Sequence, residues 1–141
     1  PAHARQAASL TYRVLGGYMG AIGLGFLVLR EPLMRLFTDD PVVIAAGTAI
    51  FVCTAIYQVF DAMWISYSHA LRGAGDTAWP SGAVLVLGST VLVGGAGLMV
   101  HFFPELASLG PWIATTVYTV ILGLTMLLRW RAGAWESRRL V

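Results

Sequence analysis

The sequence predicts an all-α integral membrane protein with four transmembrane helices. Of its 141 residues, 57% are hydrophobic and only 11% are charged, whereas soluble domains carry about 25% charged residues. Four apolar segments reach the length of about 20 residues that a helix needs to cross the hydrocarbon core of a bilayer. Lipid is therefore the expected solvent for most of this surface, and the expected partner of the chain.

Each apolar segment is bounded by residues that start or stop helices. The predicted membrane helices cover residues 10–29, 42–67, 80–103 and 111–130, within one bundle that continues into a tail at 131–141. Asp40 followed by Pro41 suits a capped helix start with proline in the first turn. Asp76 and Thr77 are expected to cap the third helix, and Pro104 is expected to end it.

The arginines predict the orientation of the chain, because cytoplasmic flanks of membrane helices collect basic residues. Seven of the nine flank what would be one side, and the other side has only Arg30 and Arg35. The seven are Arg5, Arg13, Arg72, Arg129, Arg131, Arg138 and Arg139. This pattern predicts a multi-pass protein of the cell (inner or plasma) membrane with both ends of the chain in the cytoplasm.

Several classes of function are disfavoured by composition. The basic residues lie at the ends of apolar runs and do not form the basic face of a nucleic-acid-binding protein. Cys53 is the single cysteine, so neither an internal disulfide nor a cysteine-rich metal site is expected. His69 and His101 are separated by a whole helix, which disfavours a shared metal site. The sequence contains no nucleophile elbow or phosphate-binding loop, and we expect neither an enzyme nor a bound cofactor.

Asp61 is the residue most suggestive of function, because it lies inside the second apolar segment. A carboxylate there costs roughly 2.5–3.5 kcal/mol on membrane-insertion scales, and such residues commonly mark ion or proton sites. Polar and aromatic side chains recur around it at helical spacing, and we expect them to line an aqueous cavity: Thr54, Tyr57, Gln58, Trp64 and Ser68. The alternative is an aspartate that makes only a hydrogen bond between helices.

The string LRGAGDT, from Leu71 to Thr77, resembles the signature loop of the MATE (multidrug and toxic compound extrusion) family. Three further stretches resemble other motifs of that family and extend the similarity over nearly the whole chain. They are Leu36 to Val42 before the second helix, Ile56 to Ala62 within it, and Leu109 to Trp135 around the fourth.

The resemblance implies a twelve-helix transporter made of two six-helix lobes, in which this chain would be a C-terminal fragment, helices nine to twelve of the second lobe. Members of the family export drugs and organic cations in exchange for Na⁺ or H⁺. Asp61 matches an acidic residue that takes part in binding the coupling cation, and Tyr57 and Gln58 match its neighbours. The implied partners are small organic cations and the missing N-terminal helices of the parent chain.

The signature loop has either a mechanical role between two moving helices or only the role of a turn needed for folding. Gly73 and Gly75 would permit a sharp reversal between two helices, and Asp76 is expected to pair with Arg72. Two other functions remain open from the sequence. The chain could be a self-contained four-helix exporter acting as a dimer, although the first helix lacks the acidic residue of such exporters, or a truncated remnant that transports nothing.

Overall fold

The computed structural model describes residues 2–136, and its regular elements in that range are all helical. The four long helices are α1 (Ala2–Arg35), α2 (Pro41–Gly73), α3 (Ala78–Phe102) and α4 (Leu109–Arg131). Each is long and apolar enough to cross a membrane. The predicted fold class, an all-helical membrane protein with four spanning helices, is confirmed.

The helices are longer than the apolar segments that predicted them. α1 contains 34 residues and continues through Pro32, which makes it about 50 Å long at 1.5 Å per residue. The hydrocarbon core is only about 30 Å thick. An apolar segment shows only which part of a helix lies in lipid. A helix that has formed gains one hydrogen bond for each added residue, so it continues past the ends of the apolar segment.

The two predicted helix starts differ in outcome. The carboxylate of Asp40 accepts a hydrogen bond of 2.8 Å from the Val42 amide, and Pro41 occupies the first turn of α2. That cap is confirmed. The predicted cap of α3 is wrong, because Thr77 holds the N-cap position and its side chain makes no capping hydrogen bond. Asp76 precedes that position, and its carboxylate accepts a hydrogen bond from α4.

α3 contains a π-helical segment, Gly88–Gly94, that the sequence did not predict. Within it the hydroxyls of Ser89 and Thr90 donate 2.7 Å hydrogen bonds to the carbonyls of Leu85 and Val86 in the preceding turn. Hydroxyl donation to the carbonyl four residues earlier loosens and bends helices. The helix nevertheless continues without a break to Phe102.

α2 is the central helix of the bundle and packs against both α1 and α4, while α3 packs mainly against α4. The buried core lies where α2 meets α4, at the end of the bundle that carries the α2–α3 loop. Its members are Ala8, Met63, Tyr67, Leu71, Leu122, Met126, Trp130 and Trp135. Large apolar side chains of α1 and α3 remain exposed, as expected for helices that face lipid or further helices.

The two ends of the described chain meet at this same end of the bundle. Gly133, at φ +71°, turns the chain after α4, and Trp135 stacks on Trp130 with ring centroids 4.3 Å apart. Arg5 of α1 pairs with Glu136 at 2.7 Å. Both ends of the described range and the α2–α3 loop thus lie at one end of the bundle. Arg138 and Arg139 lie outside the described residues.

Replacing Trp135 by alanine should destabilise this closure. Trp135 is buried, and its indole N–H donates to the Trp130 carbonyl at 3.0 Å. Loss of a buried tryptophan costs about 3 kcal/mol, so thermal unfolding in detergent should shift to lower temperature. Phe37→Ala, at a side chain 84% exposed in the α1–α2 link, should change the unfolding free energy by less than about 0.5 kcal/mol. Equal shifts for the two variants would contradict the packing role of Trp135.

Candidate functional site

Asp61 lies deep within α2, as the sequence predicted. It is 20 residues from Pro41 and 12 from Gly73, or roughly 30 Å and 18 Å along the helix axis. The residue is half-buried, and within residues 2–136 its carboxylate forms neither an ion pair nor a hydrogen bond. The alternative prediction, that Asp61 makes a hydrogen bond between helices, therefore finds no partner for this carboxylate in the described part of the chain.

The neighbouring polar residues lie on one face of α2, but their surroundings differ. Thr54 lines a cavity of about 450 Å³ between α1, α2 and α4, together with Phe51 and Trp112. Tyr57 stacks on Trp112 of α4, with ring centroids 6.4 Å apart and planes at 20°. This aromatic pair lies between α2 and α4, one helical turn before Asp61 in α2.

The other three residues of that face are more enclosed. Gln58 is buried, Trp64 packs against the core, and Ser68 is 1% exposed and donates to the Ile65 carbonyl at 3.3 Å. Of the five residues around Asp61, only Thr54 contributes to the cavity beside Trp112. A single cavity lined by all of them stays a prediction.

The backbone beside Asp61 lies unusually close to α4. At Gly123 of α4, an added Cβ would lie 2.6 Å from the carbonyl oxygen of Phe60 and 3.5 Å from the Cβ of Met63. Only glycine permits that approach. The contact was not predicted from the sequence, in which Gly123 is one of 16 glycines, and it fixes the position of Asp61 relative to α4.

The signature loop ends α2 with a Schellman motif, a helix C-cap closed by two backbone hydrogen bonds. The Asp76 amide donates to the Leu71 carbonyl at 2.9 Å, and the Gly75 amide donates to the Arg72 carbonyl at 3.0 Å. Gly75 has φ +85°, so its predicted role in the reversal is confirmed. Gly73 does not share that role, because it is the last residue of α2 and its φ is not positive.

Asp76 pairs with Arg129 of α4, and the predicted pair with Arg72 is wrong. The Arg129 Nε donates to Oδ2 of Asp76 at 2.9 Å, and the carboxylate is fully buried. Arg72 is exposed. The Arg129 guanidinium also lies 5.0 Å from the ring centre of Trp79, at the start of α3. Arg129 was noted in the sequence only for its charge, because its partner lies 53 residues away.

The histidine and acidic side chains of the described residues lie apart from one another. No group of three or more His, Cys, Asp or Glu side chains in residues 2–136 is placed to bind one metal ion. His69 bonds through Nδ1 to the Ile65 carbonyl of its own helix, at 2.7 Å. His101 lies edge-on to the ring of Phe102 at the far end of α3.

A comparison with protein families identifies the relationship of the chain. The family model described as MatE matches residues 1–95, about two thirds of the sequence. The chain belongs to the MatE family. The match contains α1, α2, Asp61, the signature loop and the first part of α3. The family predicted from the sequence is thereby confirmed, and with it a multi-pass membrane protein.

Curated relatives extend the similarity into α4. The chain is 31% identical over 117 residues to the probable multidrug resistance protein NorM of Thermotoga maritima, with 83% of this chain covered. It is 36% identical to the protein of the same name from Chromobacterium violaceum, with 79% covered, and 29% identical to the multidrug resistance protein MdtK of Pectobacterium atrosepticum, with 64% covered. No solved structure matches the chain.

The matched regions represent only part of each relative. The alignments cover 25%, 24% and 23% of the lengths of these three proteins. This chain therefore spans about a quarter of the curated relatives that it matches.

Proposed function

We propose that the natural protein containing this chain is a secondary antiporter, which exports drugs or other organic cations in exchange for Na⁺ or H⁺. Membership of the MatE family and the multidrug resistance names of the relatives support export. In this proposal the chain supplies helices nine to twelve of a twelve-helix transporter, and the remaining helices are its partners. Both ends of the chain would lie on the cytoplasmic face of the cell membrane.

The half-buried carboxylate of Asp61 carries the proposal of ion coupling. An ionised carboxylate at membrane depth is costly unless a cation, a proton or water compensates it. Na⁺ prefers oxygen ligands of this kind, and protonation neutralises the same group. Binding of either would change the charge of α2 next to its contact with α4, and no further cofactor is needed.

Coupling follows if the coupling ion and the drug favour different arrangements of the transporter. A ligand shifts a conformational equilibrium only as far as its affinity differs between the two states. In this mechanism a neutralised Asp61 favours the arrangement in which the site is closed to water. The charged carboxylate favours the open arrangement, in which an organic cation has access. Alternation between the two would exchange one cation for the other, as in transporters whose repeats rock against each other.

The proposal is tested by dye export from intact cells. The natural protein would be produced in a bacterium without other drug exporters, and the cells loaded with ethidium, an organic cation. We expect ethidium efflux to increase when an inward Na⁺ or H⁺ gradient is imposed and to stop when that gradient is collapsed. Efflux equal to that of cells without the protein, or efflux insensitive to both gradients, would contradict the proposal.

A further inference from the structure

The ion pair between Asp76 and Arg129 differs from the other ion pairs of the described residues in its burial. The Asp76 side chain is 0% exposed and that of Arg129 is 20% exposed. In the pair of Arg35 with Glu31 the side chains are 60% and 58% exposed, and in the pair of Arg5 with Glu136 they are 46% and 34% exposed. Exposed pairs contribute little to stability, whereas removal of one partner from a buried pair leaves an uncompensated charge.

The geometry of the buried pair joins three helices at one point. The backbone of Asp76 is held to the end of α2 by its hydrogen bond to Leu71. Its carboxylate is held to α4 by Arg129, and the same guanidinium lies over Trp79 of α3. A planar guanidinium can serve a carboxylate and an aromatic face at once, which the ammonium of lysine does less well.

The position of the pair relative to Asp61 indicates what this junction does. α2 contacts α4 near its middle, where Phe60 lies against Gly123, and again at its end through the Asp76–Arg129 pair. The buried core lies between these two contacts, and together they fix the angle between α2 and α4. α2 therefore cannot tilt away from α4 without breaking the buried pair.

We propose that Asp76 and Arg129 are positioning residues, which keep α2, α3 and α4 moving as one body and so transmit ion binding at Asp61 to the rest of the transporter. The inference rests on the proposed transport function. Asp76, the aspartate of the signature loop, would thus act without contacting the ion. Asp76 lies 15 residues after Asp61, most of them helical, or about 20 Å along the chain.

The test compares single and double neutralisations in the natural protein, with ethidium efflux measured per folded molecule. Asp76→Asn and Arg129→Gln should each lower the amount of folded protein in the membrane, because each breaks the ion pair between the buried Asp76 carboxylate and Arg129. The double variant Asp76→Asn/Arg129→Gln should recover that amount. Its maximal efflux rate should nevertheless stay about tenfold below that of the wild type. The half-saturating ethidium concentration should not change, because the two substitutions do not alter the ethidium-binding site.

Two controls separate positioning from the mere loss of charge. The double variant Glu31→Gln/Arg35→Gln removes an exposed pair of similar length and should keep both the amount and the rate. Arg72→Gln removes the arginine nearest to Asp76 in sequence and should also have little effect.

The variant Arg129→Lys tests the guanidinium itself. It should keep more folded protein in the membrane than Arg129→Gln but should not restore the full efflux rate, because lysine lacks the planar stacking surface.

The outcomes distinguish the inference from the function on which it rests. A neutral double variant with the wild-type rate per molecule would overturn the positioning role alone, as would an Arg72→Gln variant that behaves like Arg129→Gln. A wild-type protein that exports no ethidium would overturn the proposed function, and this inference with it.

Discussion

Replacement of Asp61 by asparagine should abolish ion-driven export by the natural protein that contains this chain. The substitution keeps the size of the side chain but removes the negative charge and the capacity to take up a proton. Within residues 2–136 nothing pairs with this carboxylate, so its loss breaks no ion pair and should leave the fold intact. We expect the gradient-dependent ethidium efflux to fall at least about tenfold, the change that 1.4 kcal/mol of lost coupling would produce.

The matched control is Glu105→Gln, which removes an acidic residue from the exposed Pro104–Leu106 turn. This variant should export ethidium at the wild-type rate. Asp61→Glu keeps the carboxylate and should retain part of the activity. Efflux by the Asp61→Asn variant that still responds fully to the ion gradient would show that coupling resides elsewhere.

The substitution Gly123→Ala should have the largest effect on the packing around Asp61. The added methyl group would lie 2.6 Å from the Phe60 carbonyl oxygen, a backbone atom that can retreat only if α2 moves. Overpacking of this kind costs about 1–3 kcal/mol, which should exceed the gain of up to about 1 kcal/mol that alanine brings to a helix. We expect a lower temperature of unfolding in detergent and a reduced rate of export.

Gly97→Ala provides the control for that substitution. Gly97 also lies inside a helix, but an added Cβ there meets nothing within 4 Å in this chain. Its stability should be unchanged or slightly increased, since only the helix propensity changes. A Gly123→Ala variant as stable and as active as the Gly97→Ala variant would contradict the close approach of α2 and α4.

Features fixed by neighbouring residues were predictable from the sequence. Asp40 and Pro41 adjoin the helix that they start, and Gly75 occupies the position of the turn that requires a positive φ. The spanning helices follow from apolar length alone. Asp61 was identifiable because a charge within an apolar run is conspicuous whatever the tertiary structure.

Features that depend on distant partners were not predictable in the same way. Arg72 is the arginine closest to Asp76 in sequence, but the end of α2 directs it outward, and the packing of α4 brings Arg129 to the carboxylate. The contact of Gly123 with Phe60 likewise depends on how two helices meet. The π-helical segment of α3 depends on small differences in backbone hydrogen bonding that an apolar pattern does not report.

The most direct test of the proposed coupling is ion movement measured in liposomes that contain the purified natural protein. The liposomes would be loaded with ethidium so that its gradient is directed outward, and no ATP would be present. Entry of Na⁺ or H⁺ would be followed with an ion-sensitive dye enclosed in the liposomes. We expect exit of ethidium to drive entry of one of these two ions, and we expect Asp61→Asn to eliminate this exchange while the liposomes remain tight. Ethidium movement with no counter-flow of either ion, or counter-flow that is unchanged in Asp61→Asn, would contradict the central role of this carboxylate.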